Sequence, residues 1–390
     1  MKSDDARAVY FYYFPLMNAE LHHLDHGNGE PDRRAGLHRV ALIVAWCTFP
    51  LIFIGGLVTS KDAGLSVPDW PNSYGYNMFA FPPRLWTGNI FYEHTHRLYA
   101  SFVGLLTVLL AGWTLYAEKR RWVRWLGVSC LSMVIIQGVL GGLRVVLLKL
   151  NLAIVHACVA QAFFCLVMLM CLVTSKWWMQ ASAQRSADAP GGQKLVRLAV
   201  VTWVIVFLQL MLGATMRHYR AGLAIPDVPL SFGHVLPPTN ATDLKIEQER
   251  IAAADPALDL DESTLTQVWL AFGHRMGALL VSAATITLAV VVLRKHRRAG
   301  LIRPAMLLIV LLLLQVTLGV LTVLWKKPAD VASAHVAVGA LVLVTTFVLA
   351  VRSMRLYSPV KVGNSVYELS LGHDPQPGRL NGPSTNPAIS

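Results

Sequence analysis

The chain has 390 residues, of which 55% are hydrophobic and only 14% charged, with a formal net charge of +12. A soluble chain of this length carries about 25% charged residues, so the composition excludes an ordinary soluble domain and points to an integral membrane protein. The positive charge does not point to nucleic acid, because the lysines and arginines fall in short loops and tails, where they set membrane orientation.

In chain order, residues 1–39 are polar and read as a cytoplasmic tail, without the pattern of a signal peptide. A small cluster, His22, His23 and His26, reads as solvated tail. Eight apolar segments follow, at 40–58, 95–116, 124–147, 153–174, 198–216, 271–293, 302–325 and 332–351. Each is near the ~20 residues that carry a helix across ~30 Å of hydrocarbon. The fold class expected is therefore all-α integral membrane, with eight transmembrane helices. Two four-helix bundles are expected, at 40–175 and 198–351, with a cytoplasmic linker at 176–197 and a disordered cytoplasmic tail at 352–390. Basic residues crowd the loops on one side (Lys119, Arg120, Arg121 and Arg124; Arg294, Lys295, Arg297 and Arg298). The positive-inside rule then puts both termini in the cytoplasm and the long loops 59–94 and 217–270 outside. The five cysteines lie in or against apolar segments without a metal-site spacing, and read as small buried hydrophobes.

The two halves repeat each other. The segment 63–75 matches 221–233 at eight of thirteen positions without a gap, both containing Pro-Asp-x-Pro. Gly55 aligns with Gly213, and Gln137-Gly-Val-Leu-Gly141 with Gln315-Val-Thr-Leu-Gly319; the same Gln-x-x-Leu-Gly recurs at Gln209. An even number of helices per half makes the repeats parallel, about an axis along the membrane normal. Gly141, Gly142 and Gly319 read as places for close helix contact or room for a flat ligand.

Four histidines carry the repeat into chemistry. His96 to His274 is an offset of 178 residues and His156 to His335 one of 179. Each pair comes from the second and fourth helices of its half, which can face each other across a bundle. Polar groups in the hydrocarbon region are costly and by default functional. Two opposed imidazoles suit axial ligation of a heme iron, whereas zinc wants more ligands. Arg97 and Arg275 each follow a histidine and are candidates for pairing with heme propionates, as are Arg217, His218 and Arg220. The halves differ at one position: Glu93 stands three residues before His96, and its counterpart is Ala271. An acid beside one iron site serves proton transfer, which plain electron transfer does not need. His94, about 100° round the helix from His96, reads as an interface residue.

These residues together resemble the heme A synthase family. The resemblance covers about residues 40–351 and is carried by Gly55-Gly56, the Gly-Leu-Ser-x-Pro-Asp-Trp-Pro loop at 64–71, Glu93-x-x-His96-Arg97, His156, His274-Arg275 and His335. It implies an oxidoreductase that converts the C8 methyl of heme O to the formyl of heme A for cytochrome c oxidase biogenesis, in a cell inner membrane. It further implies that His96 and His156 flank the substrate heme O with Glu93 as the functional carboxylate, and that His274 and His335 ligate a heme b cofactor. The partners implied are the lipid bilayer, heme O, a heme O synthase (a protoheme farnesyltransferase) and an electron donor; a homo-oligomer is left open. Many bacterial members carry a Cys pair flanking Pro-Asp-Trp-Pro, where this chain has Val67 and Ser73, and Ile225 and Ser231 in the second half. A loop disulfide is therefore excluded. The competing classes are a membrane heme carrier or chaperone and a di-heme cytochrome b relaying electrons from quinol. The Glu93/Ala271 difference favours the enzyme over both.

Overall fold

The computed structural model describes residues 30–181, 190–254 and 263–357. The His22, His23 and His26 cluster and the tail after Tyr357 lie outside them. Ten α-helices are formed in this range: α1 (Glu30–Ser60), α2 (Gly88–Ala117), α3 (Arg121–Leu147), α4 (Leu150–Thr174), α5 (Lys176–Ala181), α6 (Gly192–His218), α7 (Ala241–Ala254), α8 (Leu265–Lys295), α9 (Ala299–Leu324) and α10 (Ala329–Tyr357). Eight are long and apolar enough to cross a membrane, all except α5 and α7. They coincide with the eight segments read from hydropathy, but nearly all run several residues further at one or both ends. The helical hydrogen bonding continues into the interfacial zone, where basic and aromatic side chains keep their polar ends in water. No named strand occurs among the described residues.

An apolar run in lipid must satisfy every backbone N–H and C=O internally, which a helix alone does within one segment. The side chains then decide the packing. In the first half α1 packs on α2, α2 on α3, α3 on α4 and α4 back on α1, so α2 and α4 stand diagonally opposite. The second half repeats the ring with α6, α8, α9 and α10, and α8 and α10 are diagonal. The halves meet mainly through α1 on α10, α4 on α6 and α4 on α10. The apolar stretch of α10 is 72% buried and that of α4 50%, against 17% for both α3 and α9. The first two line the seam, whereas α3 and α9 turn residues such as Ile135, Ile136, Leu313 and Leu314 outward, as a lipid-facing surface requires.

The seam has a polar knot at one end. The Arg217 guanidinium on α6 donates to the Gly56 carbonyl and to Ser60 Oγ, both on α1. Ser60 Oγ lies 3.3 Å from Ser333 Oγ on α10. Gly56 is needed here: a Cβ on it would sit 3.0 Å from Ser333 Cβ and 3.2 Å from its Cα. Arg220 reaches Asp62 at 3.5 Å in solvent, a contact of little weight for stability. Arg217, one of the residues after the fifth spanning helix expected to meet a ligand, is thus bound to the first helix.

Candidate paired-histidine sites beneath two clasped loops

All four histidines lie near the N-terminal ends of their helices, His96 and His274 after the two long loops and His156 and His335 after the short turns that follow α3 and α9. His96 on α2, His156 on α4, His274 on α8 and His335 on α10 are each set against a glycine of the preceding spanning helix. A Cβ on Gly55 would meet His96 Cε1 at 3.1 Å, and on Gly141 it would meet His156 Cε1 at 3.3 Å. On Gly213 it would meet His274 Cε1 at 2.9 Å, and on Gly319 His335 Cε1 at 3.0 Å. The same seat is therefore built four times, once in each helical hairpin. Any larger residue would push the imidazole away. Gly141 and Gly319 thus serve ring seating rather than helix contact in general. Gly142 takes the Trp70 ring, whose Cδ2 would be 2.3 Å from an added Cβ.

The second pair is held firmly. His274 and His335 have ring centroids 6.5 Å apart at an interplanar angle of 71°. Two metal–nitrogen bonds of about 2.0–2.1 Å, with half the width of an imidazole at either end, span that distance. Gln209 Nε2 lies 3.1 Å from His274 Nδ1 and donates to the His274 carbonyl at 2.8 Å. His335 Nδ1 lies 3.1 Å from the Gln315 carbonyl, which fixes Nδ1–H as donor and leaves Nε2 for a ligand; Gln315 Nε2 is 3.4 Å from that Nε2.

The first pair is held differently. Gln137 Nε2 donates to the backbone carbonyl of His156 at 3.1 Å, but among the described residues Nδ1 of His96 and Nδ1 of His156 are both buried without a hydrogen-bond partner. The motif Gln-x-x-Leu-Gly was legible as an echo between helices. Its role, an amide reaching the next helix's histidine from one turn below the glycine seat, was not. The glycine-to-histidine spacing varies with loop length, so no fixed interval advertises the pairing.

Each site is roofed by a loop of one design. Asp69 accepts from the amides of Tyr74 (2.7 Å) and Gly75 (2.8 Å), and Asp227 from those of Phe232 (2.7 Å) and Gly233 (2.8 Å). Gly75 and Gly233 have φ of 76° and 82°, which glycine adopts without strain. The aspartates therefore close their own turns. The arginines fasten the turns to the bundles. Arg97 donates to the carbonyls of Val67 (2.8 Å), Asp69 (2.7 Å) and Asn72 (3.1 Å). Arg275 donates to those of Ile225 (2.9 Å), Asp227 (2.7 Å) and Leu230 (2.8 Å). The donors expected to meet propionates thus hold the loops down. Val67, Ser73, Ile225 and Ser231, where a cysteine pair would stand, are all buried within these loops.

Against this symmetry the first loop carries extra chemistry. Glu93, 4% exposed, accepts from Val67 N at 2.9 Å through Oε2 and from Arg97 at 2.8 Å through Oε1. Arg144 on α3 donates to the Gly64 carbonyl at 3.1 Å; the aligned residue in the second half is Thr322. His94 is fully buried rather than at an interface. It lies 3.2 Å from Ser73 Oγ, between the rings of Phe81 and Trp86. In the second half α7 braces the loop instead, placing Leu244 in an apolar cluster with Ile225, Phe232 and Ala271.

A family model described as cytochrome oxidase assembly protein matches residues 86–347, which include all four seated histidines. The chain belongs to that family. Similar curated proteins are the heme A synthases of Rhizobium johnstonii (26% identical over 343 residues, 80% of this chain and 88% of the relative) and Shewanella oneidensis (26% over 340 residues, 79% and 93%). Another is the heme A synthase of Rhodopseudomonas palustris (28% over 357 residues, 81% and 89%). The resemblance to heme A synthases drawn from the motifs is borne out by these matches.

The clasps make a prediction. Burial works against ionisation of Asp69, but the amides of Gly75 and Tyr74 and the Arg97 guanidinium outweigh it and hold its pKa below the usual aspartate value. The depressed pKa means that the clasp is at full strength above the ordinary carboxylate range and is lost as the pH falls through the folded value. Asp69→Ala at neutral pH should speed hydrogen exchange at the amides of Tyr74 and Gly75 by roughly ten- to hundredfold, the loss of a charged hydrogen bond, and leave Phe232 and Gly233 unchanged. Mass-spectrometric exchange on the purified protein reads both loops at once.

Proposed function

We propose that this chain is a heme A synthase, oxidising the C8 methyl of heme O to the formyl group of heme A by successive hydroxylations and loss of water. The observation that carries the reading is a duplicated scaffold with unequal furnishing. The same four glycine seats and the same two clasped loops recur, while Glu93, Arg144 and Trp70 of the first half face Ala271, Thr322 and Val228 of the second. A carrier or an electron relay has no use for an acid at one site only.

The residues fit a heme at each position. His274 and His335 would hold heme b: their ring separation suits one metal ion, and hydrogen bonds orient both rings. Heme b, when bound, supplies one-electron transfer. His96 and His156 would hold the substrate, heme O, on equivalent seats. The roles of the remaining groups follow from their contacts. Arg97 and Arg144 keep the first loop closed over the substrate and exclude water. Glu93 is not required to hold that loop, because Arg275 grips the same three carbonyls with Ala271 in the acid's place. Its carboxylate is then available to take up and return the protons that loss of water requires. The positions of Val67 and Ser73 carry no thiol, so reducing equivalents reach this protein without a loop dithiol. Heme O would be delivered by a heme O synthase, in an inner membrane with both termini cytoplasmic, as the basic loops favour.

Expression in a host that makes heme O but not heme A tests this directly, with chromatography of the extracted hemes. Heme A should appear; recovery of heme O alone from a heme-loaded protein would refute the proposal. In the same host Glu93→Gln should retain heme at wild-type stoichiometry yet lower heme A formation at least 100-fold, in the range of a lost acid–base group. Loss of bound heme in that variant would instead assign Glu93 a structural role.

A further inference from the structure

The four histidine seats are alike, but what lies one helical turn below the glycine is not. Gly141, Gly213 and Gly319 are each preceded by four residues by a glutamine, and Gln137, Gln209 and Gln315 each hydrogen-bond the histidine on the next helix. Four residues before Gly55 stands Leu51. An aliphatic side chain donates and accepts no hydrogen bond, so His96 is the one histidine of the four with no amide beneath it. Its Nδ1 is buried and unpartnered. His156 also lacks a bond at Nδ1, but its backbone carbonyl is tied by Gln137 at 3.1 Å.

We propose that His96 is the exchangeable member of the first pair, the imidazole that leaves the heme iron to open a coordination position, while His156 remains, and that Leu51 is the residue that makes it so. This rests on the reading that the first pair holds a heme. A metal-bound histidine is ordinarily oriented by a hydrogen bond at its other ring nitrogen, and loss of that bond weakens metal binding by 10- to 100-fold. In the second pair both Nδ1 atoms have a polar group beside them, the Gln315 carbonyl at 3.1 Å from His335 and the Gln209 side-chain amide at 3.1 Å from His274, which suits both rings to staying in place. The first has one at neither ring, and only His156 has a substitute tie. A site that oxidises its own bound substrate must admit a small oxidant, and two permanently bound axial ligands would shut it out.

The test uses the full-length, heme-loaded protein and carbon monoxide as the probe for an open position on ferrous iron. Heme content by pyridine hemochrome is measured in parallel. The wild type should hold two hemes and bind carbon monoxide at one. Leu51→Gln, which places an amide where Gln209 stands in the second half, should keep both hemes, weaken carbon monoxide binding at least tenfold and convert ferric high-spin signal to low-spin. Gln209→Leu should make the second heme reactive towards carbon monoxide. In case Leu51→Gln fails to assemble, the single variants decide: His96→Ala should retain the first heme with an open position, and His156→Ala should lose it. A fully loaded Leu51→Gln protein that binds carbon monoxide like the wild type overturns the proposal. So does a two-heme wild type that binds none, or loss of the first heme from His96→Ala with retention in His156→Ala. A wild type that holds only one heme, ligated by His274 and His335, overturns instead the reading on which the proposal rests.

Discussion

The structure depends on one contact made four times: the edge of an imidazole resting on a glycine of the neighbouring helix. In lipid there is little hydrophobic drive between helices, and association rests on close packing and on interhelical hydrogen bonds. A histidine in that setting is costly unless its position gives it a use. The glycine lets the ring edge approach the adjacent backbone, with an added Cβ only 2.9–3.3 Å from Cε1 in all four places. α2 and α4 are diagonal in one ring of helices and α8 and α10 in the other, so each pair of seats comes from opposed helices, and in the second half the two rings lie 6.5 Å apart. The remaining elements of both halves (loops, clasps, seam) are arranged around those two pairs.

Duplication supplied the frame, and divergence altered the contents. The loop turns closed by Asp69 and Asp227, and the three-carbonyl grips of Arg97 and Arg275, are the same to within a few tenths of an ångström. Differences cluster at the first site. Trp70 lies on Gly142, where the second half pairs Val228 with Val320 at the aligned positions, a bulky ring on a bare backbone in place of two medium side chains. Glu93 and Arg144 add charge beneath the first loop, and hydrogen bonds at the ring nitrogens are present only in the second pair. Rigid orientation suits a fixed electron-transfer group; freedom at the ring and a nearby carboxylate suit a group that is chemically changed and released.

Much of this was legible in the sequence. Apolar runs of spanning length gave the eight helices, and the ungapped match of 63–75 with 221–233 gave the repeat. The histidine offsets then singled out the four rings that share one environment. The rest was hidden because it depends on contacts between helices whose separation along the chain is irregular. Nothing at Gly55 announces a histidine forty-one residues later. The sequence displays the charge of Arg97 and Arg275, but not the loop carbonyls turned towards them. His94 looked peripheral because helical phase alone puts it away from His96; the loop that folds over it, with Phe81 and Trp86, cannot be read from that phase. Leu51 is silent in the sequence until the three glutamines are seen to act on histidines.

The central claim is that two equivalent frames hold two different occupants. Heme extraction from paired double variants tests it most directly. Removal of His96 and His156 together should abolish binding of heme O and heme A and leave one heme b per chain with a low-spin spectrum; removal of His274 and His335 together should eliminate heme b. If either double variant loses both kinds of heme in equal proportion while the protein remains folded, the two sites are not distinct in the way described.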